Sequence, residues 1–218
     1  MAQATLFVVD DNAGVRRSLR ALGESASLAV QTYASSAEFL RAYDARQLGC
    51  LILDVRLAAG KNGLELQDEL QRRAVSLPII VMTAYANVPT SVRALKSGAF
   101  DFLRKPTHPK KLLERIHAAI AAHERALALE ATRDVVRKRV ARLTPRERQV
   151  TELLLEGKVS KEIAQALQLS VRTVEGHRRM ILIKMEVPTV ARLIRDIVST
   201  TPVPRPASEP AKSGARPA

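Results

Sequence analysis

The sequence predicts an α/β domain, a doubly wound five-stranded parallel sheet, followed by a smaller all-α domain of four helices. Three observations carry that expectation. Over the first 125 residues, short apolar runs alternate with stretches of helical periodicity. Runs such as Leu6-Phe7-Val8-Val9 and Ile79-Ile80-Val81-Met82 are apolar on both faces, as a central parallel strand must be. From Thr144 to about Val198 the pattern is helical throughout.

In chain order, Thr5–Val9 is the first strand, closed by Asp10 and Asp11, and Ala13–Ser25 is the first helix. Leu28–Tyr33 and Ser36–Tyr43 follow as strand and helix. Then come Cys50–Leu53, running into Asp54, and Leu64–Arg73. Ile79–Met82 leads to Thr83, Val88–Lys96 is the fourth helix, and Phe100–Leu103 precedes Lys105-Pro106. The fifth helix spans about Pro109–Ala131. Such sheets bind ligands at the carboxyl ends of their strands. Asp10, Asp11, Asp54, Thr83 and Lys105 all fall at such ends.

Arg125–Arg142 reads as a linker, at least partly helical, with a boundary near residue 140. The expected division is 1–125, a linker at 126–140, a second domain at 141–200 and a tail at 201–218. Thr144 suits a helix N-cap, Pro145 the first helical position, and Glu147 completes a capping box. Five prolines among the 18 residues after Thr200 predict a disordered tail.

Composition narrows the function. With 46% hydrophobic and 26% charged residues, a globular fold is attainable through most of the 218 residues. No apolar run approaches the roughly 18–20 residues that span a bilayer, and no secretory signal is visible, so a cytoplasmic protein is expected. Cys50, the single cysteine, sits in an apolar run and fits a reducing compartment. The net charge of +13 is uneven. Residues 1–132 hold 17 Lys and Arg against 13 Asp and Glu, whereas residues 133–218 hold 18 against 9. A basic C-terminal part favours a polyanion, and nucleic acid is the first candidate. The four histidines have neither cysteine nor acidic partners at zinc-binding spacing, and His177 reads as packed or capping.

Three carboxylates and a lysine converging on strand ends suit phosphoryl chemistry. A hard cation takes oxygen ligands, and Mg²⁺ keeps several waters beside one or two carboxylates. Phosphoryl transfer is mainly positioning and charge neutralisation, so an aspartate nucleophile needs a metal to offset like-charge repulsion. Lys105 can neutralise phosphoryl oxygens, and Thr83 can donate a hydrogen bond to one. The plainer reading of paired acids at a strand end is a helix cap, a role open to Asp11 before Ala13.

Asp10-Asp11, Asp54, Thr83 and Lys105-Pro106 resemble the functional set of bacterial response-regulator receiver domains, over about residues 4–125. That resemblance implies a flavodoxin-like fold with Asp54 as phosphoacceptor. It also implies Mg²⁺ held by Asp11, Asp54 and the backbone carbonyl of Arg56, with Asp10 acting nearby. Thr83 and Phe102 resemble the family's switch pair, although Phe102 could equally be plain core. The implied dimer surface carries Val92, Leu95, Lys96, Asp101 and Arg104. The loop after Asp54 departs from the pattern: it lacks the usual proline and reaches Gly63 one residue late.

The second part reads as a helix-turn-helix. Ile163, Ala164 and Leu167 give one helix an apolar face, Leu169-Ser170 turns, and Val171–Met185 forms the recognition helix. Val174, Ile181 and Met185 face inward, so Arg172, Glu175, Gly176, Arg178 and Arg179 face a major groove or its phosphate walls. Leu143-Thr144-Pro145-Arg146-Glu147, Lys161-Glu162-Ile163-Ala164, Arg172-Thr173-Val174-Glu175 and Lys184-Met185 resemble the LuxR-type module over about residues 141–198. The resemblance assigns base-side contacts to Glu175, Gly176 and Arg179. Lys161, Thr173 and Lys184 are expected on phosphates. Residues 189–198, with Val190, Leu193, Ile194 and Ile197, resemble the module's dimerisation helix, although the same apolar stripe could also just close the small core.

Receiver and module together resemble the FixJ/NarL class of two-component regulators. A sensor histidine kinase would phosphorylate Asp54. The chain would then dimerise, bind double-stranded promoter DNA and activate transcription with RNA polymerase. It would not be an enzyme. The alternative is a phosphorylation-independent regulator using the receiver as a dimer scaffold, its only motive being the altered loop after Asp54.

Overall fold

The structure, a computed structural model, describes residues 3–57, 62–84 and 87–200. The chain falls into two compact units, Met1–Glu130 and Ala131–Ala218.

The first unit runs β1 (Thr5–Val9), α1 (Ala13–Ser25), β2 (Ala29–Tyr33), α2 (Ser36–Ala42), β3 (Gly49–Asp54) and α3 (Gly63–Arg72). It continues with β4 (Ile79–Thr83), α4 (Val88–Lys96), β5 (Asp101–Arg104) and the start of α5 (Pro109–Ala141). The strands pair in parallel, in the order β2-β1-β3-β4-β5. The order reverses at β1 and β3, and at such a switch point the flanking loops diverge and open a crevice.

Alternate strand residues build the two halves of the core, because successive side chains point to opposite faces. Phe7, Val9, Leu51, Leu53, Ile79 and Val81 pack with Phe39 of α2, Leu64, Leu66 and Leu70 of α3, and Ala94 of α4. Leu6, Val8, Cys50, Ile52, Ile80 and Met82 pack with Leu19 of α1 and Leu112, Ile116 and Ala119 of α5. Cys50 is a fully buried core residue whose thiol is pushed up to about 12 by desolvation, hence unreactive.

Caps set where these helices begin. Asn12, Ser35, Asn62 and Asn87 each accept from first-turn amides of α1 to α4. The cap of α1 is therefore Asn12 and not Asp11, which leaves Asp11 for another role. β3 begins one residue earlier than its apolar run because Gly49 joins the sheet. A Cβ there would lie 2.0 Å from the Thr5 carbonyl oxygen, so only glycine allows the approach. β5 lies one residue later than its apolar run suggests.

The fifth helix passes its expected end near Ala131 and runs unbroken to Ala141, since no glycine or proline follows Pro109 within it. Its last turns belong to the second unit, whose core takes Val136 from them.

The second unit adds α6 (Pro145–Leu155), α7 (Ser160–Leu167), α8 (Val171–Met185) and α9 (Val190–Thr200). Its core joins Leu143, Val150, Leu154, Ile163, Ala164, Val174, Ile181, Met185 and Leu193. Thr144 and Glu147 form the reciprocal capping box that starts α6. Gln168, left-handed at φ 54°, stops α7, and Ser170 caps α8. Two expectations, the lengthened loop at 58–61 and the disordered tail at 201–218, lie outside the described residues. Among the described residues no helix is long and apolar enough to cross a membrane.

Gly63 fixes the loop after β3. Its amide donates to the Val55 carbonyl at 2.7 Å, Arg56 and Asn62 form an antiparallel bridge, and a Cβ on Gly63 would sit 1.9 Å from the Asp54 carbonyl oxygen. Gly63→Ala is expected to cost about 1–3 kcal/mol by overpacking against backbone. A urea titration of the full chain followed by circular dichroism measures it. An unchanged midpoint would show that the β3 terminus yields freely.

Candidate functional site

β1 and β3 deliver their acids to one place because they are neighbours in parallel register, with Val9 opposite Leu53. Asp10 is the residue after β1 and Asp54 the last of β3. Asp10, Asp11 and Asp54 each offer an oxygen within 4.8 Å of the others. Lys105, just beyond β5, donates from Nζ to Asp10 Oδ2 at 2.5 Å and to Asp54 Oδ2 at 2.7 Å. The four predicted groups therefore meet.

Burial differs among them in a useful way. Asp10 is buried and Asp11 exposed, while Asp54 and Lys105 keep 12% and 16% of their side chains accessible. Asp54 is thus sheltered yet reachable. Desolvation pushes the Lys105 pKa down, but hydrogen bonds and charge from Asp10 and Asp54 outweigh it and leave the pKa raised. Its ammonium stays protonated at neutral pH.

The loop carrying the acids is held by groups that the sequence did not single out. Arg16 Nη1 donates to the backbone carbonyls of Asp10 at 2.7 Å and Asp11 at 2.9 Å. Asp10 Oδ1 accepts from the Asn12 amide and Asp54 Oδ1 from the Arg56 amide. Arg16 lies one helical turn into α1, a position that its own sequence context does not mark. The donor set is all oxygen and strongly anionic, and the cluster is compatible with Mg²⁺.

Thr83 ends β4, buried, and its carbonyl accepts from the Lys105 amide at 2.9 Å. Phe102 is half-buried on β5 and packs against the core face shared by α2, α3 and α4. The Lys105–Pro106 peptide is cis. On the surface of α4, Val92 and Leu95 stand 43% and 50% exposed, with Lys96 exposed beside them. Arg104 is exposed on β5, whereas Asp101 is engaged within the unit, accepting from Arg115 Nε at 2.5 Å.

In the second unit, α8 turns Val174, Ile181 and Met185 into the core. Arg172, Thr173, Glu175, Gly176 and Arg179 are exposed, and Lys161 is exposed on α7. Arg178 is half-buried and bonded: its Nη1 donates to Ser160 Oγ and, at 3.1 Å, to Glu175 Oε1. Ser160 Oγ in turn donates to Glu175 Oε1.

Lys184, expected on a phosphate, is paired within the unit. Its Nζ donates to Glu147 Oε1 at 2.9 Å and Oε2 at 2.7 Å, and the Glu147 carboxylate also accepts from the Thr144 amide. Glu147 is only 6% accessible, so desolvation alone would raise its pKa. Lys184 and the Thr144 bonds more than reverse that, and the pKa is lowered. The capping box and the pair share one carboxylate, a double duty that spacing alone did not reveal.

Comparison with known proteins agrees with both units. Residues 6–117 match the model of the response regulator receiver domain, and residues 141–196 match the model of bacterial regulatory proteins of the luxR family. The C4-dicarboxylate transport transcriptional regulatory protein DctR of Rhodobacter capsulatus is 42% identical over 193 residues, which is 88% of this chain and 98% of that one. The transcriptional regulatory protein FixJ of Azorhizobium caulinodans is 40% identical, over 87% of this chain and 90% of its own. The solved structure of the response regulator StyR superposes with a TM-score of 0.78 at 36% identity, covering 90% of this chain and 99% of that one.

The lowered Glu147 pKa fixes a sign. A carboxylate whose native pKa is depressed contributes stability that is complete above its ordinary range and lost as the pH falls through the native value. Glu147→Gln should remove that component of acid sensitivity, and Lys184→Met should destabilise the second unit by about 2 kcal/mol by leaving a buried carboxylate uncompensated. Hydrogen exchange of α6 and α8 amides, as a function of pH, reads both. Equal protection in wild type and Lys184→Met would show that the pair contributes nothing.

Proposed function

The chain belongs to the two-component response regulators that join a receiver domain to a LuxR-type DNA-binding domain, and from that premise we propose that it is switched by phosphorylation of Asp54. The observation that carries the proposal is the convergence of Asp10, Asp11, Asp54 and Lys105 at the open ends of β1, β3 and β5.

In this reading a sensor histidine kinase presents a phosphohistidine. Asp54 attacks phosphorus, a P–O bond forms as the P–N bond breaks, and the leaving imidazole takes a proton. Asp10, Asp11, Asp54 and the Arg56 carbonyl would hold Mg²⁺, which when bound would supply the neutralisation that lets an anionic carboxylate meet an anionic phosphoryl group. Lys105, already bonded to Asp54 Oδ2, transfers its ammonium to the phosphoryl oxygens. Thr83 donates to one of them, and Phe102 turns further into the core it already touches. The chain turns over no separate substrate, and hydrolysis of its own acyl phosphate ends the signal.

The exposed Val92, Leu95, Lys96 and Arg104, with Asp101, then form the surface on which two phosphorylated copies pair. A pair of α8 helices reads a two-fold site in double-stranded promoter DNA. The bound dimer works in the cytoplasm and activates transcription through RNA polymerase. In α8, Glu175, Gly176 and Arg179 face bases, while Lys161 and Thr173 fix the register on phosphates.

Asp54→Asn should take up no phosphate from acetyl phosphate and Mg²⁺, as read by intact-mass spectrometry, and should lose any gain in promoter affinity on such treatment. Label retained on the mutant's residue-54 peptide would show that the acceptor is wrongly assigned, and wild-type DNA affinity that is the same with and without acetyl phosphate and Mg²⁺ would leave the scaffold alternative standing. Arg179→Ala should cost about 1–3 kcal/mol on the preferred sequence and relax preference at one base position. Lys161→Ala should weaken all duplexes alike and lower the salt slope by about one. Identical footprints and slopes for the two variants would defeat that division of roles.

A further inference from the structure

Ser160 is the first residue of α7, one place after the N-cap, Val159, whose side chain accepts no capping hydrogen bond. The Val159 amide is instead satisfied by the Glu162 carboxylate at 2.9 Å. Helix capping therefore leaves the Ser160 hydroxyl free for other work. It is spent across the helix-turn-helix. Oγ donates to Glu175 Oε1 and accepts from Arg178 Nη1, and Arg178 Nη1 also reaches Glu175 Oε1 at 3.1 Å. Three side chains on two helices close a triangle, using the hydroxyl once as donor and once as acceptor.

An exposed ion pair three residues apart on a helix holds no single geometry, since its gain barely offsets the entropy of two long side chains. Here the third corner is fixed. Ser160 is buried, and the core residues Ile163 and Ala164 lock the turn that carries it. Both bonds on Glu175 fall on Oε1, while the side chain as a whole is 55% accessible. Oε2 takes no part in the triangle. A carboxylate near a duplex is repelled by phosphates and is useful only where it meets an amino group such as cytosine N4. A restrained carboxylate keeps that one orientation, and a free one does not.

We propose that Ser160 is a positioning residue for DNA reading: its hydroxyl sets Glu175 and Arg178 in one arrangement, so that base preference depends on a residue of α7 that touches no base. The inference rests on the reading of α8 as the recognition helix given above. It adds a specificity-determining group outside that helix.

The test uses the full chain and a pool of randomised duplexes, from which wild type selects a preferred sequence. Ser160→Thr keeps the hydroxyl and Ser160→Val keeps nearly the same shape without it. Affinities for the selected duplex and for a scrambled one of equal length are then compared. Ser160→Thr should keep the wild-type ratio, and Ser160→Val should lower it about tenfold, with scrambled-duplex binding and salt slope unchanged. Equal ratios for the two variants, whether both high or both low, overturn the proposal, because the hydroxyl would then not matter. If branching at this position unfolds the unit, Ser160→Ala is combined with Arg178→Met. The serine change should then add nothing to the arginine change, and additive losses overturn the proposal. Failure of wild type to select any sequence would sink the DNA-reading function itself. Selection that is indifferent to Ser160 sinks only this inference.

Discussion

Crowded negative charge is the constraint from which the first unit follows. Three carboxylates offer oxygens within 4.8 Å of one another at the open edge of the sheet, and like charges at that distance repel strongly when partly removed from water. The only ammonium bonded into the cluster among the described residues is Lys105, shared between Asp10 and Asp54. Every nearby structural choice serves this meeting. Parallel pairing of β1 with β3 places two acids side by side, and Arg16 holds the backbone of the first acidic loop. Gly63 lets the second loop press against the Asp54 carbonyl. Any group that competes for the Asp54 oxygen must displace the lysine bridge.

The second unit uses the same pairing for the opposite purpose. Lys184 and Glu147 form a bidentate pair that also carries the capping box of α6. Removing either partner leaves an uncompensated charge, so the pair ties the start of α6 to the end of α8 and fixes the recognition helix on its support. A pair built into a folded core stabilises a geometry, whereas a pair at the mouth of a crevice awaits a competitor. Chemistry alone does not distinguish the two. Their surroundings do.

Much of this was legible in the residues. Short runs apolar on both faces, punctuated by acids and by Thr83 and Lys105, gave the sheet and its ligand-facing ends, because burial on both faces leaves little choice of residue. Thr144, Pro145 and Glu147 announced α6 for a similarly local reason. What stayed hidden depended on three-dimensional neighbours. Asn12 took the cap open to Asp11, since only the backbone geometry decides which of three adjacent polar residues sits there. Lys184 looked like a solvent-facing cation on the recognition helix. Its partner lies 37 residues away, beyond the reach of any helical periodicity. Ser160 had no mark at all, because a serine at a helix start is read as a cap and here is not one.

A phosphoryl group on Asp54 can alter DNA binding only by its differential affinity for two states of the receiver, however tightly it binds either. The differential has an evident source. In the state described, Lys105 already satisfies Asp54, so a phosphoryl group entering there must replace one strong charge pair with another. On the proposed phosphorylation, the net gain would come from interactions the unmodified site lacks: a donor from Thr83 and a cation that Asp11 would help to hold. Thr83 is buried at the end of β4, and its backbone carbonyl already receives the Lys105 amide. Under the proposed switching, a displacement of Thr83 toward the phosphate would reach the Lys105 loop and, through β4–β5 pairing at Thr83–Arg104, the surface where Arg104 is exposed. Chemistry at the strand ends and a change on the outer face would then be joined by one strand pair.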